Sequence, residues 1–300
     1  MQPRQLIVVA DDYGIGPATS QAIRELAYAG AVTATVLLVN SPYAEREVVQ
    51  WQKSAAPADL GWHPNLNLDA PICSPIDVPS LIDRDGQFHP LPRFLKRLLV
   101  GRIRRDELER ELDAQYCRFV QLVGRPPALV NGHKHMHVFP ICRSVLRDVL
   151  ARHGARPVIR RIRESRSCLR HIPGARLKRT LLGWFGKSAA AQYQAAGCPS
   201  NNFLAGITDP YWVRDPEFFT RWLAYVPGRL VELAVHPGHW DPTLLGRDCS
   251  RRDGQLRRRV AEYHLLKQPA FKAAARAAGF ELVRPSSLFI AKPEDMANAC

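Results

Sequence analysis

Several patterns that assign chains to common protein classes are missing from this 300-residue sequence. Its seven cysteines are widely spread and none forms a Cys-x-x-Cys pair, which argues against a zinc-thiolate site or a disulfide framework and favours a reducing cytoplasm. No Gly-x-Gly-x-x-Gly opens the first predicted helix, so a dinucleotide-binding fold has no support. No apolar run approaches the roughly 20 residues of a membrane span. The apolar run near Met1 is too short for a signal peptide, and a first barrel strand accounts for it.

Positive charge is concentrated in one part of the chain. The formal net charge is +14, and residues 151–187 hold eleven Lys and Arg against a single Glu, an excess of ten that leaves +4 for the rest. This distribution indicates a local contact with an anion, for which nucleic acid, anionic lipid and a phosphorylated substrate are all candidates. A basic insert that is merely solvated fits the same composition.

Apolar patterns alternate between strand and helix along the chain, which predicts a parallel sheet, either open and doubly wound or closed into a barrel. Two segments look irregular, the proline-rich 71–98, which is typical of a long loop that covers a site, and the region 163–210. We expect the loops 64–98 and 163–210 to shape the substrate pocket. With no repeat and no clear linker, residues 1–300 are predicted to form one domain with a basic insert at about 151–205. The predicted strands are 6–10, 33–39, 58–62, 128–131, 158–162, 230–235 and 281–283, and the predicted helices are 18–30, 106–123, 142–152 and 270–278.

Side chains that can bind metal or move protons follow several of these strands. Because the carboxyl ends of parallel strands lie on one face of a barrel, such residues would meet there in one bowl. Each cluster also has an ordinary structural explanation, such as a turn and a helix cap for paired aspartates. Together they offer carboxylate and imidazole ligands with an acid and a base to spare. They are Asp11 and Asp12 after the first strand, His63 after the third, His133, His135 and His137 after the fourth, and His236 and His239 after 230–235.

The spacing of these residues suggests how they divide the chemistry. Adjacent Asp11 and Asp12 would point to different sides of an extended segment, so one can bind a metal while the other faces a water molecule. The imidazoles at 133, 135 and 137 share one side if that segment is extended, and one or two of them would bind the ion. An Asp-His-His site leaves positions open for water and substrate, as catalytic metal sites do.

Five stretches, in order and at similar spacing, resemble motifs of the YdjC-like carbohydrate deacetylases, also called the ChbG/HpnK family. The resemblance runs from about residue 5 to 285. It implies an α/β fold of the distorted (β/α) barrel type, related to the NodB-like polysaccharide deacetylases, with the active site at the strand C-termini. The stretches are VVADDYG at 8–14, LGWH at 60–63, PSLIDRDGQF at 79–88, NGHKHMH at 131–137 and ELAVHP at 232–237.

Carried over position by position, the resemblance implies that Asp12, His63 and His133 bind one divalent metal ion. It also implies that Asp11 is the general base and that His236 is the general acid. The sequence leaves the identity of the ion open among Mg, Zn and other metals.

Three further residues are candidates for outer contacts of the metal site or for substrate binding. Asn131 stands where the family commonly has Asp, and its amide oxygen could still orient His133 as an uncharged acceptor. His135 and His239 complete this group, and His239 is the alternative acid. Tyr13, which replaces the usual Phe, is a mild departure from the family pattern.

The predicted function is metal-dependent hydrolysis of the acetamide of an N-acetylated amino sugar, either a chito-oligosaccharide or a lipid-linked N-acetylglucosamine, with release of acetate. A metal-dependent phosphoesterase is the enzymatic alternative, although such enzymes usually carry more carboxylates for a second metal. A nucleic-acid-binding protein using residues 151–187 is the non-enzymatic alternative, and it leaves the strand-end cluster without a role. A glycosidase would need two carboxylates about 5–10 Å apart across a bond, which adjacent aspartates do not offer.

The segment 176–187, RLKRTLLGWFGK, is basic and places Leu177, Leu181, Trp184 and Phe185 on one helical stripe. Such a segment suits a peripheral contact with an anionic membrane, which for a cytoplasmic protein is the inner face. A surface helix packed on the core explains the same stripe. Whether the chain forms a homo-oligomer is left open by the sequence.

Overall fold

The computed structural model describes residues 3–288, which form a curved parallel sheet surrounded by helices. The strands are β1 (Arg4–Tyr13), β2 (Ala34–Leu37), β3 (Asp59–Trp62), β4 (Leu129–Val130), β5 (Val158–Ile159), β6 (Phe203–Ala205), β7 (Leu230–Val235) and β8 (Phe280–Leu282). The α-helices are α1 (Pro17–Tyr28), α2 (Ala44–Ser54), α3 (Leu91–Leu99), α4 (Arg105–Val123), α5 (Pro140–Arg152), α6 (Arg166–His171), α7 (Arg176–Ala195), α8 (Phe218–Tyr225), α9 (Gln255–Lys267), α10 (Pro269–Ala277) and α11 (Pro285–Leu288).

The sheet curls into a parallel half-barrel, in agreement with the predicted distorted (β/α) barrel type. Its strand order is β5-β4-β3-β2-β1-β7-β6, with β8 beside the first residues of β1, and the strand pairs are parallel. The two edge strands are joined by irregular contacts. The Ile159 N–H donates to the carbonyl of Pro199 at 2.8 Å, and the side chain of Asn201 bonds both the N–H and the carbonyl of Arg161.

The central strand β1 is buried on both faces. Leu6, Val8 and Ala10 belong to the large core, whereas Ile7 and Val9 belong to a smaller cluster with residues of β2, β4 and β5. Alternate residues point to opposite faces of a strand, so a strand covered on both sides is continuously apolar. This burial explains why the sequence shows an apolar run here instead of an alternating pattern, and it fixes the polar end of β1 in place.

The predicted strands and helices are present, with ends that differ by a few residues. The two segments expected to be loops are partly helical instead. Residues 71–98 contain a 3-10 helix at Pro75–Asp77 and most of α3, and residues 163–210 contain α6, α7 and β6. The basic region 151–205 therefore supplies two barrel strands as well as two helices. That the chain is one domain with an insert there stays a prediction.

Helix α9 escaped the sequence analysis because its buried face is charged. Arg258, Arg259 and Glu262 are among its most buried residues, so the apolar residues alone show little helical periodicity. Apolar periodicity reveals a helix that packs on an apolar core. The buried face of α9 instead places charged side chains near the carboxyl ends of the strands.

Candidate metal and active site

The last residues of strand β1 are irregular, and the carboxylates of Asp11 and Asp12 there line one pocket. The pairing of β1 with β2 shifts register between Ala10 and Tyr13, and Asp12 adopts a left-handed backbone with φ of 68°. The expectation of a simply extended Asp11-Asp12 segment is therefore wrong, although the two side chains do reach different partners. Asp residues tolerate this backbone better than most residues, since their short polar side chains bond locally.

Three ligand atoms from separate strand ends form a compact triangle. Asp12 Oδ1 lies 2.9 Å from His133 Nδ1 and 3.3 Å from His63 Nε2, and the two ring nitrogens are 3.4 Å apart. All three residues are buried. Ligand atoms about 2.1 Å from one ion lie roughly 3.0–3.4 Å from each other in octahedral or tetrahedral geometry. The structure thus brings together the three predicted ligands, and this group could hold a metal ion.

Outer hydrogen bonds orient His63 and Asp12, and Asp248 lies near His133. His63 donates from Nδ1 to the carbonyl of Asn131 at 2.6 Å, which leaves the Nε2 lone pair free to face the triangle. Asp12 accepts through Oδ2 from Arg259 at 2.6 Å. His133 Nε2 lies 3.8 Å from a carboxylate oxygen of Asp248. Such contacts set the tautomer of an imidazole ligand and raise its basicity.

The prediction that the Asn131 side chain orients His133 is wrong. The side-chain nitrogen of Asn131 donates to Asp11 at 3.3 Å. The backbone carbonyl of Asn131 orients a different ligand, His63. Replacing the family's Asp with Asn therefore places a donor beside the Asp11 carboxylate, where a second carboxylate would repel it.

The His-Lys-His-Met-His segment is a 3-10 helix, His133–Val138, with left-handed residues at Lys134 and His135. The predicted extended geometry is wrong, and the three imidazoles point to different environments. His135 is buried and lines the pocket. His137 accepts from the Gly132 N–H and donates to the carbonyl of Arg160, so it holds the segment together. Of the three imidazoles, His133 alone belongs to the ligand triangle.

Asp11 is paired with a buried arginine. Arg160, which follows β5, donates to both Asp11 carboxylate oxygens at 2.6 and 2.7 Å and also contacts Glu232 of β7. Burial alone would raise the pKa of Asp11, but the charge and hydrogen bonds of Arg160 outweigh burial and hold that pKa below its usual value. Asp11 is therefore a carboxylate at neutral pH and is available to accept a proton.

His236 faces Asp11 across the pocket. Its Nε2 lies 3.7 Å from Asp11 Oδ2, and its backbone N–H donates to Glu262. Arg258 lies 3.3 Å from Nδ1 through Nη2, and a guanidinium can only donate, so the imidazole hydrogen is on Nε2. Burial and the charge of Arg258 lower the pKa of His236 well below its usual value.

His239 lies outside this arrangement. Its Nε2 is 3.1 Å from Glu25 Oε1, and its ring packs against Tyr263. It is half-exposed and does not line the pocket that contains the triangle. The structure gives no support to His239 as the alternative acid or as a substrate-binding residue.

A model of the family described as YdjC-like protein matches residues 5–277. The chain belongs to the YdjC-like family. A carbohydrate deacetylase of Danio rerio is 34% identical over 154 residues, which are 51% of this chain and 49% of that protein. A carbohydrate deacetylase of Geobacillus stearothermophilus is 35% identical over 164 residues, 55% of this chain and 62% of that protein.

These matches leave much of each curated relative outside the alignment, since the chain matches about half to two thirds of their length. The fold is supported over the whole length by a crystal structure from Enterococcus faecalis, provisionally named a cellobiose-phosphate cleavage protein. It is 24% identical, has a TM-score of 0.77 and covers 96% of this chain and 100% of its own. At this identity the likeness shows a shared fold.

The pocket of this YdjC-like protein has a volume of about 690 Å³ including its open mouth. Of the two regions expected to shape it, 163–210 does so through Lys178 and Gly206 to Thr208, whereas none of the residues 64–98, all of them described, lines it. The charged residues around the site were not predicted from the sequence. Arg160 could have been recognised, because it is a charged residue inside a predicted apolar strand. The others missed are Lys178, Glu232, Asp248, Arg258, Arg259 and Glu262.

Proposed function

We propose that this YdjC-like protein is a metal-dependent deacetylase that hydrolyses the acetamide of an N-acetylated amino sugar and releases acetate. One observation carries the proposal: a buried triangle of ligand atoms stands beside an ionised carboxylate and an imidazole in one open pocket. Amide hydrolysis needs an activated water, an electrophile for the carbonyl oxygen and a hydrogen for the departing amine, and these groups supply all three needs. The names of the curated relatives point to the same reaction.

Asp12, His63 and His133 are proposed to hold one divalent ion. The donor set of one carboxylate and two imidazoles suits zinc and other transition metals better than magnesium, which prefers oxygen ligands. A divalent ion in such a site lowers the pKa of water and polarises a carbonyl oxygen. The rest of the chemistry belongs to the protein's own residues.

Asp11 is proposed as the general base. It is adjacent in sequence to the ligand Asp12, yet its oxygens bond Arg160 and Asn131 and take no part in the triangle. A carboxylate next to a ligand residue, held ionised and in a fixed orientation, would be placed to take a proton from water. Arg160 donates to both Asp11 oxygens, which keeps them out of the ligand triangle.

His236 is proposed as the acid partner at the departing amine nitrogen. Its side chain is 26% exposed, so it can be reached from the pocket, and its Nε2 hydrogen points toward Asp11. Because Arg258 opposes a second proton on the ring, the neutral imidazole is the resting form. In this form His236 would assist the departing amine by donating a hydrogen bond from Nε2 to its nitrogen.

The substrate is proposed to be a chito-oligosaccharide or a lipid-linked N-acetylglucosamine. Acetate release from the two, measured side by side with Zn, Mg, Mn, Co or Ni added after chelation, tests both the reaction and the substrate. Asp12→Asn should abolish release, whereas a matched change at the exposed Asp85→Asn should leave it intact. Phosphate release from phosphoesters without acetate release would instead establish the phosphoesterase. Salt-dependent binding of DNA or RNA that is indifferent to Asp12→Asn would establish the nucleic-acid alternative.

A further inference from the structure

Helix α7 leaves large apolar side chains exposed although it already buries one face. Its buried residues include Leu182 and Tyr193 as well as Arg179 and Gly186, while its outer face also carries large apolar residues. Leu177 is 75% exposed, Leu181 52% and Trp184 72%. These three residues are called the outer face of α7 below.

The four residues of the predicted apolar stripe do not all face the same way. Phe185 turns inward and packs edge-on against Phe139, with ring centroids 5.3 Å apart. The outer face itself packs on nothing in the core, so core packing does not explain three of the four residues in the stripe. Among residues 3–288, no helix has the length and apolar character needed to cross a membrane, so the outer face is not part of a span.

Buried contacts lock the rotation of α7 so that the outer face cannot turn inward. Arg179 is 2% exposed and bonds the carboxylate of Glu164 together with the carbonyls of Ile172, Gly174 and Cys168. Rotating the helix would break this buried network of hydrogen bonds. The apolar side chains are therefore displayed by the fold, and large apolar side chains displayed together commonly mark an interaction site.

The segment that carries the outer face is strongly basic, although Asp209 accepts from the Ala175 N–H at the start of α7. Between residues 165 and 208 the sequence contains no Asp and no Glu. Five cations of α6, α7 and their junction are exposed, and none forms an ion pair with any residue of the described range 3–288. A partner of this surface must offer negative charge and an apolar layer at the same time. The five cations are Arg166, Arg170, Arg176, Lys178 and Lys187.

We infer that the outer face of α7 is a docking surface for an anionic lipid bilayer. Leu177, Leu181 and Trp184 would enter the boundary between headgroups and acyl chains, and the surrounding cations would contact lipid phosphates. A second copy of the chain fits poorly, because a two-fold contact through this face would set the same cations against each other. Lys178 belongs to the same helical turn and also lines the pocket, so docking would place the pocket mouth next to the bilayer.

Co-sedimentation with vesicles tests the inference independently of catalysis. Binding of the full chain to phosphatidylcholine vesicles containing phosphatidylglycerol should exceed binding to pure phosphatidylcholine by at least about tenfold and should weaken as salt is raised. The triple change Leu177→Ser, Leu181→Ser and Trp184→Ser should abolish it. The double change Ile76→Ser and Leu99→Ser is the matched control, since these residues are 84% and 87% exposed on other elements.

Tryptophan fluorescence and self-association decide the remaining outcomes. The emission of the full chain should shift to the blue with anionic vesicles, and Trp184→Phe should remove most of that shift. Weak binding that is equal for both vesicle types, or equal loss in the control variant, would overturn the inference. Self-association in solution that the triple change abolishes would overturn it in favour of a dimer. Acetate release from a soluble substrate by the triple variant reports the proposed function separately.

Discussion

The two halves of the chain contribute to the candidate site in different ways. The first half supplies the ligand atoms and the base, each at or just after the end of a barrel strand. The second half supplies the imidazole acid and the charged residues that surround these atoms. The first set is Asp11, Asp12, His63 and His133, and the second is Arg160, Glu232, His236, Asp248, Arg258, Arg259 and Glu262.

The difference has an energetic reason. A buried carboxylate is costly unless it is paired, and the two site carboxylates of the first half each meet an arginine of the second. Arg160 pairs with Asp11 and Arg259 pairs with Asp12. The arginines of the second half therefore keep the site carboxylates ionised, whereas the first half supplies the proposed ligands and base. Variants of the two sets should fail in different ways.

The largest effect is expected from removing a ligand. His63→Ala or His133→Ala leaves two ligands of three, so bound metal should fall to background and acetate release should drop at least about 10⁴-fold. Metal content after dialysis, measured by mass spectrometry, checks the first point. The exposed His264→Ala serves as the control. Full metal occupancy in either ligand variant would rule out the assigned triangle.

The next effect separates the adjacent aspartates. Asp11→Asn should retain the ion and lose about 10²–10³-fold in turnover, because a base is removed and a ligand is not. Asp12→Asn should lose metal affinity as well. Metal titration and acetate release, measured on both variants, give the comparison. Near wild-type turnover in Asp11→Asn would place the base elsewhere.

Breaking the charged set should cost stability as well as rate. Arg160→Met leaves Asp11 and Glu232 buried without their cation, so the free energy of unfolding at pH 7 should fall by roughly 3–5 kcal/mol. The pKa of Asp11 lies below its usual value in the folded protein, so the stabilisation that Arg160 gives this carboxylate is fully present above about pH 4 and is lost as pH falls below that value. The difference between variant and wild type should shrink in the same range. Urea unfolding at several pH values checks this, with Arg166→Met as the exposed control. A loss that does not depend on pH would mean that packing, and not charge, is responsible.

A smaller effect is expected from the contact to His236. Arg258→Met removes a positive charge beside Nδ1, so the pKa of His236 should rise toward its ordinary value of about 6.5, and the ring should charge at a higher pH. Acetate release should fall about 10-fold while metal content stays constant. Nuclear magnetic resonance of the imidazole reports tautomer and pKa directly. An unchanged titration would show that Arg258 does not control this ring.

The smallest effect is expected at His239. Because its ring pairs with Glu25 and lies outside the pocket, His239→Ala should keep metal content and acetate release within about twofold of wild type. A large loss of rate in this variant, with an intact fold by circular dichroism, would restore His239 as a candidate acid.

The barrel and the ligand residues could be predicted because both leave local signals. A buried parallel strand is an apolar run, and a ligand near its end follows that run, as Asp12 follows the apolar residues 6–10 of β1 and His63 follows β3. The pairing of the charged partners leaves no such signal. Arg160 and Asp11 are 149 residues apart, and nothing near either position in the sequence predicts that they meet. The backbone turns at Asp12, Lys134 and His135 were missed because residues other than glycine rarely adopt positive φ.

The left-handed backbone of Asp12 also restricts which residues could replace it. Asn adopts positive φ nearly as readily as Asp, so Asp12→Asn keeps the chain path and removes only the charge. Glu would keep the charge, but its longer side chain and poorer fit to this backbone would displace the carboxylate from its two histidine neighbours. Position 12 therefore requires a residue that tolerates positive φ and that also supplies a carboxylate oxygen as a ligand. A library in which only Asp restored metal binding, while Asn restored folding without metal, would show the two requirements acting separately.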